Sequence, residues 1–196
     1  MNTIRLASLT DAHSMLEIYS PYILNTAFTF ETEVPTVEIF AKRILAYLED
    51  WPWLVCEIDG TPAGYAYATR YRERAAYQWC VESSVYVHDN YQQRGVASAL
   101  YAALFEILKH QECRNVYAGI TLPNDKSLGF HKRFGFTHFA DYDHVGYKLG
   151  KWNTVSWCRL QLNNYSDDPD APLKFPVVEQ SFLKKVCYEK STMIKE

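Results

Sequence analysis

The chain is predicted to be an α/β protein, with a mixed central sheet of about six to seven strands flanked by helices. Three observations support this. Short β-branched runs alternate with stretches of helical apolar spacing along most of the 196 residues. Asp59-Gly60, set between two apolar runs, marks a tight hairpin and so a pair of antiparallel strands. Val85-Tyr86-Val87 leads through a glycine-bearing loop into a long helical pattern that begins at Val96.

Taken in order, Ile4 to Ala7 forms a first strand, and Thr10-Asp11 opens a helix over Ala12 to Tyr19. Pro21 is expected to interrupt that helix, because proline lacks an N–H and crowds the preceding turn, leaving Tyr22 to Asn25 as a second segment. A polar-aromatic loop from Phe28 to Pro35 precedes a helix over Val37 to Leu48. Trp53 to Ile58 and Ala63 to Thr69 are the hairpin strands, and Val81 to Val87 is the strand feeding the glycine loop. After the helix from Val96 come a strand over Asn115 to Ile120 and a short helix opened by Asn124. Tyr147 to Trp152 forms a last loop and Val155 to Leu162 a half-exposed last strand.

Beyond Asn163 the composition shifts. Pro169, Pro172 and Pro176 stand among Asp167, Asp168 and Asp170, the mark of a linker or extended arm. Gln180 to Glu196 then carries a short helical pattern through Phe182, Leu183, Val186 and Tyr188. The expected organisation is one domain over 1–163 and a linker with a short tail over 164–196, docking either on the domain or on a partner.

Composition limits the function. A chain that is 48% hydrophobic can bury one substantial core, while a net charge of −3 and a pI near 6.1 provide no drive toward nucleic acid or an anionic membrane. Five cysteines, odd in number and without Cys-x-x-Cys spacing, argue against a disulfide framework or a zinc site and suit a reducing cytoplasm. Met1 to Arg5 lacks a basic-then-apolar leader pattern, and no window of about 18 apolar residues suggests a membrane span.

The strand-to-helix loop has the residues of an anion cradle. A helix start leaves about four N–H groups without partners and carries roughly half a positive charge, so Gln93, Arg94, Gly95, Val96, Ala97 and Ser98 can surround a pyrophosphate. The spacing Gln92-x-x-Gly95-x-Ala97 has neither the Lys-Ser/Thr pair of a nucleoside-triphosphate loop nor the Gly-x-Gly-x-x-Gly of a dinucleotide loop. It resembles instead the acetyl-CoA pyrophosphate loop of the GCN5-related (GNAT) N-acetyltransferases. Asn124 to Phe136, an Asn opening a short helix that closes in Gly-Phe, resembles that family's second acetyl-CoA motif. Trp51-Pro52-Trp53-Leu54-Val55, Arg74-Ala75-Ala76-Tyr77-Gln78-Trp79 and Gly146 to Trp152 are similar to the phosphinothricin N-acetyltransferase branch, a likeness that covers about residues 3 to 163.

That resemblance implies transfer of acetyl from acetyl-CoA to the α-amino group of a small amino-acid-like acceptor, such as phosphinothricin or methionine sulfoximine or sulfone, in a ternary complex without a metal. It implies Glu82 as general base, directly or through a water, since only a free amine attacks a thioester. Ion pairing of Glu82 with Arg72 or Arg74 is the structural alternative. His131 would protonate the departing thiolate or orient substrate, or else serve the core. Val85, Tyr86 and Val87 would present backbone to the pantetheine arm, and Asn124 would bind it or cap its helix. Arg72, Arg74 and Tyr77 would meet the acceptor's acidic groups, with Arg72 standing where herbicide-detoxifying relatives have Lys. Phe30 and Trp157 would line the apolar part of the site or belong to the core. Other readings are acetylation of another small amine or a peptide N-terminus, or acetyl-CoA sensing without catalysis. The family likeness also implies a homodimer.

Overall fold

The computed structural model describes residues 1–195. The strands are β1 (Asn2–Leu6), β2 (Trp53–Ile58), β3 (Thr61–Arg70), β4 (Cys80–Val87), β5 (Asn115–Thr121), β6 (Thr137–Lys148) and β7 (Lys151–Gln161). The helices are α1 (Ala12–Asn25), α2 (Val37–Leu48), α3 (Val96–His110), α4 (Asp125–Arg133) and α5 (Gln180–Ser191). The strands form one mixed sheet in the order β1-β2-β3-β4-β5-β7-β6. Every neighbouring pair is antiparallel except β4 and β5, which run parallel.

Alternation along the strands divides the core in two. Trp53 and Val55 of β2 and Tyr65 of β3 pack with α1 and α2, whereas Leu54, Cys56, Ala66 and Ala68 pack with α3. Small side chains on the second face let α3 lie close, and rings fill the first, where Trp53 stacks on Tyr67 at 4.2 Å. The hairpin turn is as expected: Asp59 and Gly60 both take left-handed φ values, 51° and 78°, which a two-residue primed turn requires. Thr36 caps α2, its side chain accepting from the Ile39 N–H at 3.3 Å.

Three local expectations are corrected. Helix α1 runs through Pro21 without a break. Pro21 is exposed, so the disturbed turn has water available, while buried Ile18, Tyr19 and Ile23 hold both halves to the sheet. Tyr147 to Trp152 is not a loop: only Leu149 and Gly150, at φ 52° and 76°, form the turn between β6 and β7. Strand β6 is an edge strand exposed along most of its length, so burial imposes little alternation on its sequence. Tyr188 is exposed, and Cys187 takes the buried place beside Leu183 and Val186.

The segment after β7 lies against the rest of the fold. Helix α5 packs on α3 and on the edge strand β1. His110 stacks on Phe182 at 4.3 Å, and the Lys190 Nζ pairs with Glu106 at 2.6 Å. No helix among the described residues is long and apolar enough to cross a membrane.

Candidate active site

Strands β4 and β5 pair only through Cys80–Asn115, Val81–Val116 and Glu82–Tyr117. Beyond Glu82, β4 continues to Val87 on β3 and β5 to Thr121 on β7, without further pairing to each other among the described residues. The backbone of β4 is therefore left open along one edge. The His88 N–H donates to the Ala63 carbonyl at 2.9 Å, and antiparallel alternation from that pair turns the Tyr86 N–H and C=O toward β3. Val85 and Val87 then face the opening, with the Tyr22 hydroxyl donating to the Val87 carbonyl at 2.8 Å. The Tyr86 ring packs edge-on against Tyr19 and Tyr22, away from that edge.

At the end of β4 the chain turns into α3 through two left-handed residues, Gln93 at φ 63° and Gly95 at φ 85°. Gly95 is the N-cap position, so the N–H groups of Val96, Ala97 and Ser98 form the first turn and have no intrahelical acceptor. They line a cavity of about 680 Å³ together with Gln93, and with Lys126 and Arg133 from α4. The two basic residues were not foreseen, because only the fold brings α4 beside the loop. Arg94 turns aside: its guanidinium lies 5.8 Å from the Tyr91 ring and donates to the Lys195 carbonyl at 3.4 Å. Asn124 caps α4, accepting from the Ser127 N–H at 3.1 Å.

Glu82 is half-buried where β4 and β5 part. Burial raises its pKa above the ordinary glutamate range, and the charge of Arg72 acts in the opposite direction. Neither Arg72 nor Arg74 forms an ion pair with Glu82 among the described residues. Arg72 lies over the Tyr71 ring at 4.9 Å, and Tyr71 stacks on Tyr117 at 4.2 Å. Tyr77 meets Tyr71 edge-on at 6.0 Å. Tyr71 and Tyr117 escaped the sequence reading, although Tyr71 adjoins Arg72 and Tyr117 alternates onto the face of Glu82. Arg74 lines a neighbouring cleft of about 270 Å³ with Asp50 and Lys174.

On the same face of the sheet, Phe30, Gly119, Tyr142 and Trp157 line a second cavity of about 270 Å³. Gly119 forms its floor beneath Trp157, whose indole would lie 3.4 Å from an added Cβ. The Trp157 Nε1 is buried and has no hydrogen-bond partner among the described residues. The Phe30 ring rests on Gly146 so closely that any Cβ there would overlap it. The loop that carries Phe30 is pinned from three sides. The Lys148 Nζ donates to the Thr29 carbonyl at 2.7 Å, the Tyr19 hydroxyl meets the Thr29 Oγ1 at 2.6 Å, and Arg43 pairs with Glu31 at 2.6 Å. Burial lowers the Lys148 pKa, against the charge of Glu31.

His131 is 6% exposed on α4, under the opposite face of the sheet. Its Nδ1 lies 2.8 Å from the Ser127 carbonyl, which can only accept, so Nδ1 carries the proton of the neutral ring. Its Nε2 then accepts from the Tyr101 hydroxyl at 3.3 Å, and that hydroxyl accepts from the Ser83 Oγ at 3.3 Å. Burial lowers the His131 pKa, opposed by the Ser127 contact. A polar line thus runs from β4, beside Glu82, through Tyr101 to His131.

Comparison with known proteins bears on this arrangement. The model of the acetyltransferase (GNAT) domain matches residues 4–157. A phosphinothricin N-acetyltransferase of Streptomyces viridochromogenes is 36% identical over 154 residues, which cover 79% of this chain and 84% of that protein. An L-methionine sulfoximine/L-methionine sulfone acetyltransferase of Salmonella typhimurium is 33% identical over 174 residues, 86% of this chain and 99% of the relative. A Salmonella typhimurium acetyltransferase solved with its cofactor acetyl-CoA superposes with a TM-score of 0.83 at 31% identity, covering 87% of this chain and 99% of that one.

Proposed function

The chain belongs to the GNAT family of acetyltransferases, and on that premise we propose that it transfers acetyl from acetyl-CoA to the α-amino group of a small amino-acid-like acceptor, phosphinothricin or methionine sulfoximine or sulfone, in a ternary complex. The observation that carries this reading is the parting of β4 and β5 at Glu82. It sets a carboxylate of raised pKa beside an open strand edge, with Gly119 and Trp157 on the far strands. The left-handed Gly95 and the free first turn of α3 suit a pyrophosphate, and the open backbone of Val85 and Val87 suits a pantetheine arm.

Bound acetyl-CoA would supply the activated thioester. Glu82 takes a proton from the acceptor ammonium, directly or through a water, so that the amine lone pair can attack. A raised pKa brings the carboxylate nearer the amine's own and makes it a stronger base than an exposed glutamate. An N–H on the open edge, that of Val85, steadies the oxygen on which negative charge develops. His131 acts by position: neutral, with its proton on Nδ1, it accepts from Tyr101, whose hydroxyl accepts from Ser83, and so holds β4 beside Glu82, while the second proton that the attacking nitrogen loses passes to the departing thiolate. Arg72 and Arg74 receive the acceptor's acidic groups, Tyr77 flanks it, and Phe30 and Trp157 line the apolar part of its cavity.

We assign this chemistry to residues 1–163, place the enzyme in the reducing cytoplasm that its free cysteines suit, and take it to act as a homodimer. An acceptor panel followed by thiol release tests the reading. Release with phosphinothricin or methionine sulfoximine is expected. Release only with polyamines or peptides would overturn the acceptor assignment, and tight CoA binding without release would point to a sensor.

Gly146→Ala probes the acceptor cavity selectively. The new Cβ displaces the Phe30 ring, so the acceptor KM should rise roughly tenfold while the acetyl-CoA KM stays within about twofold. Initial-rate kinetics with each substrate varied in turn would measure both.

A further inference from the structure

The family match ends at residue 157, yet the chain beyond it returns to the phosphate loop. Helix α5 is held on α3 and β1, and the residues that follow it run along the start of α3. Ile194 is buried in the main core, and its carbonyl accepts from the Asn2 Nδ2 at 3.2 Å. The Lys195 N–H donates to the Arg94 carbonyl at 2.9 Å, and the Arg94 Nη2 donates back to the Lys195 carbonyl at 3.4 Å. The Met193 carbonyl lies 2.9 Å from where a Cβ on Gly95 would be. Met193 and Lys195 therefore line the 680 Å³ cavity together with Lys126 and Arg133.

We infer that the segment after α5 is a working part of the coenzyme site, with the Lys195 ammonium binding a phosphate of CoA. This rests on the donor assignment made above. The backbone pair with Arg94 fixes the root of the Lys195 side chain at the cavity wall, while the side chain itself is exposed. Charge supports the same conclusion. Among the described residues the cavity has Lys126 and Arg133 against one acid, Asp125, and a third cation there suits a ligand carrying both a pyrophosphate and a 3′-phosphate. The same backbone pair braces the loop, so ordering of the segment and binding of the coenzyme favour one another.

Calorimetric titration of the full chain with CoA and with 3′-dephospho-CoA tests this without relying on turnover. Lys195→Ala should bind CoA about threefold to fivefold more weakly, Lys195→Glu about tenfold or more, and Lys195→Arg should be close to the unaltered protein. Loss of the Lys195→Ala effect with 3′-dephospho-CoA would assign the contact to the 3′-phosphate, and its persistence would assign it to the pyrophosphate. Equal CoA affinity in all three variants, with the unaltered protein binding CoA, would overturn the inference alone. No CoA binding by the unaltered protein would overturn it together with the donor assignment.

Discussion

Glu82→Gln is expected to lower kcat by roughly a hundredfold to a thousandfold while leaving CoA affinity within about twofold. Gln keeps the size and polarity of the side chain but cannot accept the ammonium proton, so the loss measures the base and not the cavity. The acid limb of the kcat/KM profile should carry the same signature. Because burial raises the Glu82 pKa, the working carboxylate is lost at a pH above the ordinary glutamate value of about 4.3, and the limb should vanish in Glu82→Gln. A limb that persists unchanged in the variant would assign the base to another group.

The same shift has a consequence for stability, with a definite sign. A carboxyl group whose pKa is raised by folding binds protons more tightly in the folded state than in the unfolded chain. Its contribution is fully present below the unfolded pKa and is lost as pH rises through the folded one. At neutral pH the half-buried Glu82 is ionised at a cost to stability, which Gln removes. Glu82→Gln should therefore melt at the same or a higher temperature at pH 7 to 8, with the difference closing as the pH falls toward about 4. A lower melting temperature at pH 7 would reveal a favourable partner for the carboxylate.

How far the site could be read from the sequence depended on whether a feature is local. Asp59-Gly60 and the Gly95 loop are set by backbone chemistry within a few residues, and both lie where the sequence reading places them. The end of pairing between β4 and β5 is different, because it depends on how two strands twist apart, and nothing in Ser83 to Val87 announces it. Pro21 was misjudged because packing of Ile18, Tyr19 and Ile23 overrides a local breaker. Tyr71 stacked on Tyr117, and Lys148 reaching the Thr29 carbonyl, join residues far apart in the chain. Lys195 meets Arg94 across 101 positions, a contact that no sequence spacing encodes.

Gly95→Asp should raise the acetyl-CoA KM by tenfold or more, and comparison with Gly95→Asn separates the causes. Both variants meet the same geometry: φ of 85° costs a side chain roughly 1–2 kcal/mol, and the Cβ would lie 2.9 Å from the Met193 carbonyl. That carbonyl belongs to backbone held by Ile194 in the core, so relief requires the segment after α5 to move. Asn tolerates the left-handed region about as well as Asp does, and it carries no charge. The difference in CoA affinity between the two variants is therefore the repulsion between the carboxylate and the coenzyme phosphates. At about 4 Å and an effective dielectric of about 20 the Coulomb energy is at most about 4 kcal/mol, and solvent at the open cavity reduces it further. A further tenfold to thirtyfold loss in Asp over Asn, shrinking as salt is raised, is the expected titration result. Equal affinities would mean that no phosphate lies against Gly95 and that the loop holds another part of the ligand.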